Sequence, residues 1–457
     1  MKNLKNNLSK YSIYFVLFIV CVLIISAKHW EKQDKVIAMD VVSYYAYLPA
    51  TFIFHDIKLE NKETFDKGLF WPEPLPDGNQ VFKTTMGMSI LYSPFFFAGH
   101  GIAKFMGWEA YGYSPIYKIG LLVGAVFYFF IGLFFLRRIL KNYFSERITA
   151  LTIITIGLGT NLLNYATYDA CMSHMYNFTL INVFVWYTIQ WYKSPRLFKL
   201  LMLGLLSGLI ALIRPSNIVV LVFFFIYGIS SVEELKQRVK LIFTKFHWFV
   251  LMGIAFFIVW IPQMIYWHSI TGHYFVNSYP DEQFFWGNPH FIDGLFSYRK
   301  GWFLYTPVMV FAILGIPFLF GKLKEFSWAI LIFISLATYI IVSWWCWWYG
   351  GSFGMRSFVD YYGLLAIPMA LLFTEIWNYR KRSKAIVLGI VFLALLQNNF
   401  FLEKYKHGGL HYDSMTKAAF WFSFWDMRPR EGYWELLESP DYFKALEGID
   451  AVVIEKK

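Results

Sequence analysis

Charged residues are scarce in this sequence. Only 16% of its 457 residues are Asp, Glu, Lys or Arg, and 58% are apolar, whereas ordinary soluble proteins carry about 25% charged residues. A single water-soluble core is therefore not expected, and neither is disorder, because disordered chains are poor in apolar residues. The apolar residues come in repeated blocks of membrane-spanning length. The sequence predicts an all-α, polytopic membrane protein.

Two further absences restrict the class of protein. The three cysteines are too few and too odd in number for a disulfide framework. The centres of the apolar blocks also lack acidic residues. Glu375 lies near the end of its block, and so does the basic residue Lys118. A proton-coupled transporter usually needs an ionisable relay in mid-membrane, so this absence argues against that class.

The net charge of +11 is concentrated between the apolar blocks. With the basic clusters placed in the cytosol, the inner loops hold 20 basic residues against four acidic ones, which is the positive-inside pattern of a bilayer protein and needs no nucleic-acid partner. This orientation predicts a cytoplasmic N-terminus, an outer C-terminus and eleven spans. They are 11–27, 115–136, 148–165, 175–192, 197–213, 217–230, 247–267, 302–321, 326–345, 361–377 and 384–402.

The remaining segments are predicted on the outer side. Residues 1–402 form the transmembrane domain, within which 28–114 and 268–301 are long outer loops, and 403–457 is a small outer tail. A crossing by the block Met88–Met106 would invert every later basic cluster, so this block is predicted to be an interfacial helix. The turn-rich stretch Trp71–Gly78 separates it from an earlier aromatic segment that also reads as an interfacial helix.

Two acidic residues follow spans on the predicted outer side. Asp40 precedes a helix-compatible segment, so the simplest interpretation is a helix N-cap, although a carboxylate there also suits a general base. Asp169 lies five residues before His174 in a short turn without Lys or Arg. A solvated loop residue is the simplest interpretation of Asp169, and an active-site acid is the next. Two ligands alone make no metal site.

Several basic residues also lie on the predicted outer side, against the orientation rule: Lys83, Arg214, Arg299, Lys300 and Arg356. The simplest interpretation is that these side chains extend to the phosphates of the outer leaflet. The functional interpretation is a phosphate clamp, because guanidinium groups bind phosphate oxygens and stabilise the charge of a leaving phosphate.

Together these segments resemble the GT-C superfamily of integral-membrane glycosyltransferases, especially the branch of the aminoarabinose and protein mannosyltransferases. The resemblance lies in an acid after the first span, interfacial helices, a basic end to the next span and a second acid between the third and fourth spans. The matching positions are Asp40, Tyr45-Ala46, His55-Asp56, Lys83-Thr84-Thr85, Ser93-Pro94-Phe95-Phe96-Phe97, Arg137-Arg138 and Asp169. Val41 stands where members often carry a second acid, and no prolines follow Lys83.

The resemblance implies transfer of a sugar from a polyprenyl-phosphate donor on the outer face, and we expect a lipid or glycan acceptor and a bacterial inner membrane. Direct attack by the acceptor hydroxyl would invert the anomeric carbon. No nucleotide is implied, and a divalent metal ion stays open. The site that we predict comprises Asp40 and Asp169 for catalysis, Lys83, Arg214, Arg299 and Arg356 for the donor phosphate, and Tyr44, Tyr45 and His174 for substrate contact. A lipid-linked glycan polymerase or ligase and a lipid or solute transporter are the alternatives.

Overall fold

The computed structural model describes residues 7–61, 72–75, 78–380 and 382–449, and within these ranges the chain is almost entirely helical. Trp71, Pro76, Asp77 and Lys381 lie outside the described residues. The α-helices within these ranges are α1 (Leu8–Ala27), α2 (Asp40–Phe52), α3 (Gly87–Phe105), α4 (Pro115–Leu140), α5 (Glu146–Leu158), α6 (Leu162–Ala166), α7 (Ser173–Lys193), α8 (Leu197–Ile213), α9 (Val220–Ile226), α10 (Val232–Thr244) and α11 (Phe246–Thr271). They continue with α12 (Phe291–Phe296), α13 (Trp302–Tyr305), α14 (Met309–Lys322), α15 (Lys324–Val342), α16 (Tyr362–Tyr379), α17 (Ser383–Lys406), α18 (Lys417–Phe422) and α19 (Tyr442–Leu446).

Every predicted span coincides with helical structure. Six helical segments are long and apolar enough to cross a membrane: Leu8–Glu31, Pro115–Leu140, Phe246–Thr271, Lys324–Val342, Arg356–Tyr379 and Ser383–Lys406. Three shorter apolar segments match the predicted spans at 197–213, 217–230 and 302–321. The remaining two predicted spans correspond to α5 with α6 and to α7. The prediction of an all-α, multi-pass membrane protein is confirmed.

Helix α16 lies at the centre of the bundle. It packs against α5, α7, α14 and α17. In the segment Arg356–Tyr379, 94% of the most apolar 18-residue stretch is buried. Gly315 of α14 contacts the backbone at Pro368 so closely that a Cβ atom would overlap the Pro368 carbonyl oxygen. Small residues at such crossings let helix backbones approach, which is the usual way that membrane helices pack.

The first loop folds back on one end of the bundle. Helices α2 and α3 pack against each other, and α3 also packs against α4. Gly87 of α3 contacts Ile213 at the end of α8, while Gly99 contacts Ile116 at the start of α4. Both contacts fall at span ends that are predicted to share one side, as expected for an interfacial helix. Between α2 and α3, Glu73–Pro74 and Gln80–Val81 form a short antiparallel hairpin, β1 and β2.

The basic clusters gather at the opposite end of the bundle. The Glu146 carboxylate pairs with Arg137 at 3.7 Å and with Lys141, and it accepts a hydrogen bond from the Ser9 amide at 2.9 Å. Arg238 of α10 donates to the Phe225 carbonyl of α9 at 2.6 Å. The segregation of charge predicted from the sequence is therefore present in the fold, and the assignment of this end to the cytosol stays a prediction.

A methyl group added at Gly315 tests the packing of α14 on α16. We expect Gly315→Ala to destabilise the protein by about 1–3 kcal/mol, because the crossing has no room for the added atom. Gly253→Ala on α11 is the matched control, since a Cβ atom there meets open space. Thermal unfolding in detergent measures both, and equal melting temperatures for the two variants would contradict the close contact.

Cysteine labelling tests the orientation. Single cysteines at or near Asp77 and at exposed Tyr412, close to Asp413, should react with an impermeant reagent from outside, and a cysteine at Arg382 should not. These variants are made in a protein in which the partly exposed Cys21 is replaced. Cys171 and Cys346 can stay, because both are buried. Labelling of Arg382→Cys from outside in sealed cells would show that the predicted orientation is wrong.

Candidate functional site

Asp40 lies at the start of α2 and pairs with a residue far along the chain. Met39 occupies the N-cap position, and Asp40 is the first helical residue. The interpretation of Asp40 as an N-cap is wrong, because no side chain caps this helix. Its carboxylate, 41% exposed, instead lies 3.0 Å from Nη1 of Arg356, whose side chain is 16% exposed. An accessible carboxylate is thus held by a mostly buried cation.

Arg356 opens a 3-10 helix, Arg356–Tyr361, that leads into α16. Gly354, with φ of +61°, turns the chain into this helix, and a Cβ atom there would press on Tyr305. Among the described residues, the Nε donor of Arg356 is buried without a hydrogen-bond partner. The guanidinium group therefore has donor capacity beyond its bond to Asp40.

Asp169 lies in the turn between α6 and α7, and its side chain is partly buried. Asn164 donates to it at 2.7 Å through its side-chain amide. Burial raises the pKa of this carboxyl, and the nearby charge of Arg356 opposes the shift. Asp169 is therefore a loop residue that is partly buried and hydrogen-bonded, and not one that is fully solvated. Asp169 and Asp40 act electrostatically on one another and share Arg356 as the neighbouring cation.

Arg214, Tyr44 and His174 complete this cluster. Arg214 follows the last residue of α8, and its Nη1 lies 3.1 Å and 3.2 Å from the two ring nitrogens of His174. His174, in the first turn of α7, is 1% exposed. Tyr44 lies one helical turn after Asp40, and its hydroxyl is 3.4 Å from Oγ of Ser173. The fold thus brings helix ends together at one side of the bundle.

Lys83 borders the cluster but is engaged by carboxylates. Its Nζ lies 2.7 Å from Glu282 and 3.8 Å from Glu73, and it lies over the Tyr279 ring at 5.2 Å. The next residue, Thr84, donates from its amide to Oγ of Ser43 on α2 at 3.2 Å. Lys83 therefore links the first loop to the 268–301 loop beside Asp40.

Two candidate residues lie elsewhere. Arg299 donates to the backbone carbonyls of Asp413 at 3.0 Å and Glu438 at 3.2 Å, so it binds the C-terminal tail. It lines an open cavity of about 460 Å³ between the 268–301 loop and that tail. Tyr45 is fully buried and donates to the Gly112 carbonyl, which makes it a core residue of the first loop.

Asp360 is the functional candidate that the sequence reasoning missed. It lies on the same 3-10 helix as Arg356, is 1% exposed, and is contacted by His174 and Arg214. The available signal was an acid directly before an apolar span, since unpaired charges are rarely buried. The position of Asp360 in the sequence does not indicate that His174 and Arg214 are its partners, because they belong to other segments of the chain.

The carboxylates of the site do not form a recognisable metal-ligand set. No group of three or more His, Cys, Asp or Glu side chains that would suit a metal is found in the part of the chain that the structure describes. Asp40 is engaged by Arg356 and Asp169 by Asn164. The side chains that the structure describes here therefore do not form a preformed divalent site.

The fold is similar to that of a solved membrane enzyme. The crystal structure of an apo oligosaccharyltransferase from Archaeoglobus fulgidus matches 98% of this chain with a TM-score of 0.50 at 11% identity, and the chain spans 62% of that protein. No protein-family model matches the sequence, and a comparison with curated proteins finds no similar sequence. The likeness shows the fold alone, and it agrees with the GT-C architecture expected from the sequence.

Asp169→Asn tests whether the ionised Asp169 carboxylate lowers or raises the stability of the folded protein. Because burial raises the pKa of Asp169, the ionised form destabilises the folded protein once the pH exceeds the ordinary value of about 4. We expect the variant to melt at a higher temperature than the parent at pH 7, with the difference shrinking toward pH 4. A lower melting temperature at pH 7 would show that the ionised carboxylate stabilises the fold.

Proposed function

We propose that this protein is a membrane glycosyltransferase that moves a sugar from a polyprenyl-phosphate donor to a hydroxyl of a lipid or glycan acceptor. The single observation that carries the proposal is the accessible Asp40 carboxylate, held 3.0 Å from the largely buried Arg356. A second guanidinium group, that of Arg214, lies in the same cluster. The GT-C fold supports the same class of reaction. The bacterial inner membrane and catalysis on its outer face are part of this proposal.

Asp40 acts as the general base. Its carboxylate is exposed enough to meet a substrate, and the bond to Arg356 restricts its orientation. A carboxylate within hydrogen-bond reach of the acceptor hydroxyl accepts the hydroxyl proton as the oxygen attacks. Fixing this geometry in advance contributes to the rate, because the reacting groups need not be ordered in the transition state.

Arg356 and Arg214 hold the donor phosphate. As the acceptor oxygen bonds to the anomeric carbon, the bond from that carbon to the phosphate oxygen breaks, and negative charge develops on the leaving polyprenyl phosphate. Guanidinium donors aimed at these oxygens stabilise the developing charge. The side chain of Arg356 is 16% exposed beside the Asp40 carboxylate, and 18% of the Arg214 side chain is exposed.

The reaction proceeds by one displacement and inverts the anomeric carbon. Asp40 is engaged by Arg356 and serves as the base, so the acceptor hydroxyl is the only nucleophile in the step. A direct attack by an external hydroxyl leaves the new bond on the face opposite the departing phosphate. Asp169, next to the same guanidinium group, orients the acceptor.

Asp40→Asn tests the assigned base. Asparagine fills a similar volume but cannot accept the hydroxyl proton, so we expect turnover to fall by a factor of about 100 or more while the protein still folds and inserts. Purified protein is given candidate lipid-linked sugars, and product mass is measured. Asp34→Asn is the matched control, because its carboxylate is 79% exposed and pairs only with neighbouring Lys35 in the described structure.

Each result of this assay has a defined meaning. Turnover by Asp40→Asn at the parent rate would eliminate the base role. Movement of lipid across vesicles without a new glycosidic bond would indicate a transporter. Transfer of a whole oligosaccharide would indicate a lipid-linked glycan polymerase or ligase, and the 268–301 loop would then be the segment to examine for glycan contacts.

A further inference from the structure

A buried carboxylate lies behind the proposed phosphate site. Asp360 is 1% exposed, and its Oδ1 lies 2.8 Å from Nδ1 of His174. Its Oδ2 accepts hydrogen bonds from Asn217 at 2.7 Å and from Asn177 at 3.2 Å. A buried carboxylate costs free energy unless it has such donors. The Asp360 side chain is therefore held in place by three neighbouring side chains.

The His174 ring joins this carboxylate to Arg214. With the proton on Nδ1, the neutral ring donates to Oδ1 of Asp360 at 2.8 Å. Nη1 of Arg214 lies 3.1 Å from Nδ1 and 3.2 Å from Nε2, so the guanidinium group packs against the ring that Asp360 holds in place. At 1% exposure the ring is too buried to contact a substrate. His174 therefore suits a positioning role better than the expected substrate contact.

Arg214 is constrained on several sides. Its Nε lies 3.9 Å from Oδ2 of Asp360, and its Nη2 donates to Oγ of Ser357 at 3.3 Å. The Tyr349 ring lies 5.7 Å from its guanidinium carbon. Asp360 and Ser357 share the 3-10 helix that begins with Arg356. One short helix thus fixes the positions of both guanidinium groups.

We propose that Asp360, acting through His174, positions Arg214 to bind the phosphate of the lipid-linked donor. The inference rests on the proposed function, since it deepens the role of Arg214 in that site. Asp360 and His174 are positioning residues, because neither reaches the reacting atoms. A guanidinium group that is already oriented loses less rotational freedom when it binds an anion, so the loss of either partner weakens phosphate binding.

A double-mutant cycle tests this role without requiring transfer. The affinity of purified protein for undecaprenyl phosphate in detergent is measured by native mass spectrometry for Asp360→Asn, Arg214→Ala and the combined variant. We expect each single change to weaken binding about tenfold, and the combined variant to bind no more weakly than Arg214→Ala alone. Full additivity, about a hundredfold loss, would overturn the proposal.

Two variants of His174 distinguish positioning from packing. His174→Gln keeps a donor and an acceptor, whereas His174→Phe keeps an aromatic ring without hydrogen bonds. A positioning role predicts that Gln retains more lipid-phosphate affinity than Phe, and a packing role predicts the reverse order. These variants also serve if Asp360→Asn fails to fold, and melting temperatures are measured for every variant.

Matched controls and separate outcomes complete the experiment. Asp426 and Arg430 form an exposed ion pair at 3.3 Å away from the site, so Asp426→Asn and Arg430→Ala should bind the lipid phosphate as the parent does. If the parent binds and Asp360→Asn and His174→Phe bind equally well, the positioning role is wrong and the proposed function stands. If the parent binds no lipid phosphate, the donor assignment fails and this inference fails with it.

Discussion

The ion pair between Asp40 and Arg356 is the contact on which the arrangement of the site depends. Asp40 begins a helix of the first loop, and Arg356 begins the 3-10 helix that leads into the central span. Their pairing fixes the first loop against the end of the bundle. A largely buried guanidinium group needs an anion nearby, and the accessible side of Asp40 is the part of this pair that a substrate can reach.

The polypeptide is strained at the points where this site is assembled. Met39, directly before Asp40, has a φ of +50°, and Tyr349, beside Arg214, has a φ of +57°. Residues with side chains rarely adopt such angles, and the strain persists only where surrounding contacts hold it. In both places the strained residue precedes or contacts a charged group, so packing energy elsewhere in the bundle offsets the cost of orienting the site.

The two ends of the bundle use charge differently. At one end, the Glu146 carboxylate is shared by Arg137 and Lys141, so an acid lies among bases. At the other end, Arg356 and the buried Asp360 lie on one short helix, and Arg356 pairs with the accessible carboxylate of Asp40. The second arrangement places guanidinium groups beside an accessible carboxylate, which suits the proposed site.

The sequence by itself determined the helical segments and the separation of basic ends from the end that carries Asp40. Hydropathy and charge are local properties of a segment, so they can be read along the chain. Only the tertiary structure decided which charges meet. Lys83 pairs with Glu282, Arg299 binds the tail, Tyr45 enters the core, and Asp360 becomes the partner of His174. Such pairings join residues that are distant in sequence, and each depends on how helices pack and exclude water.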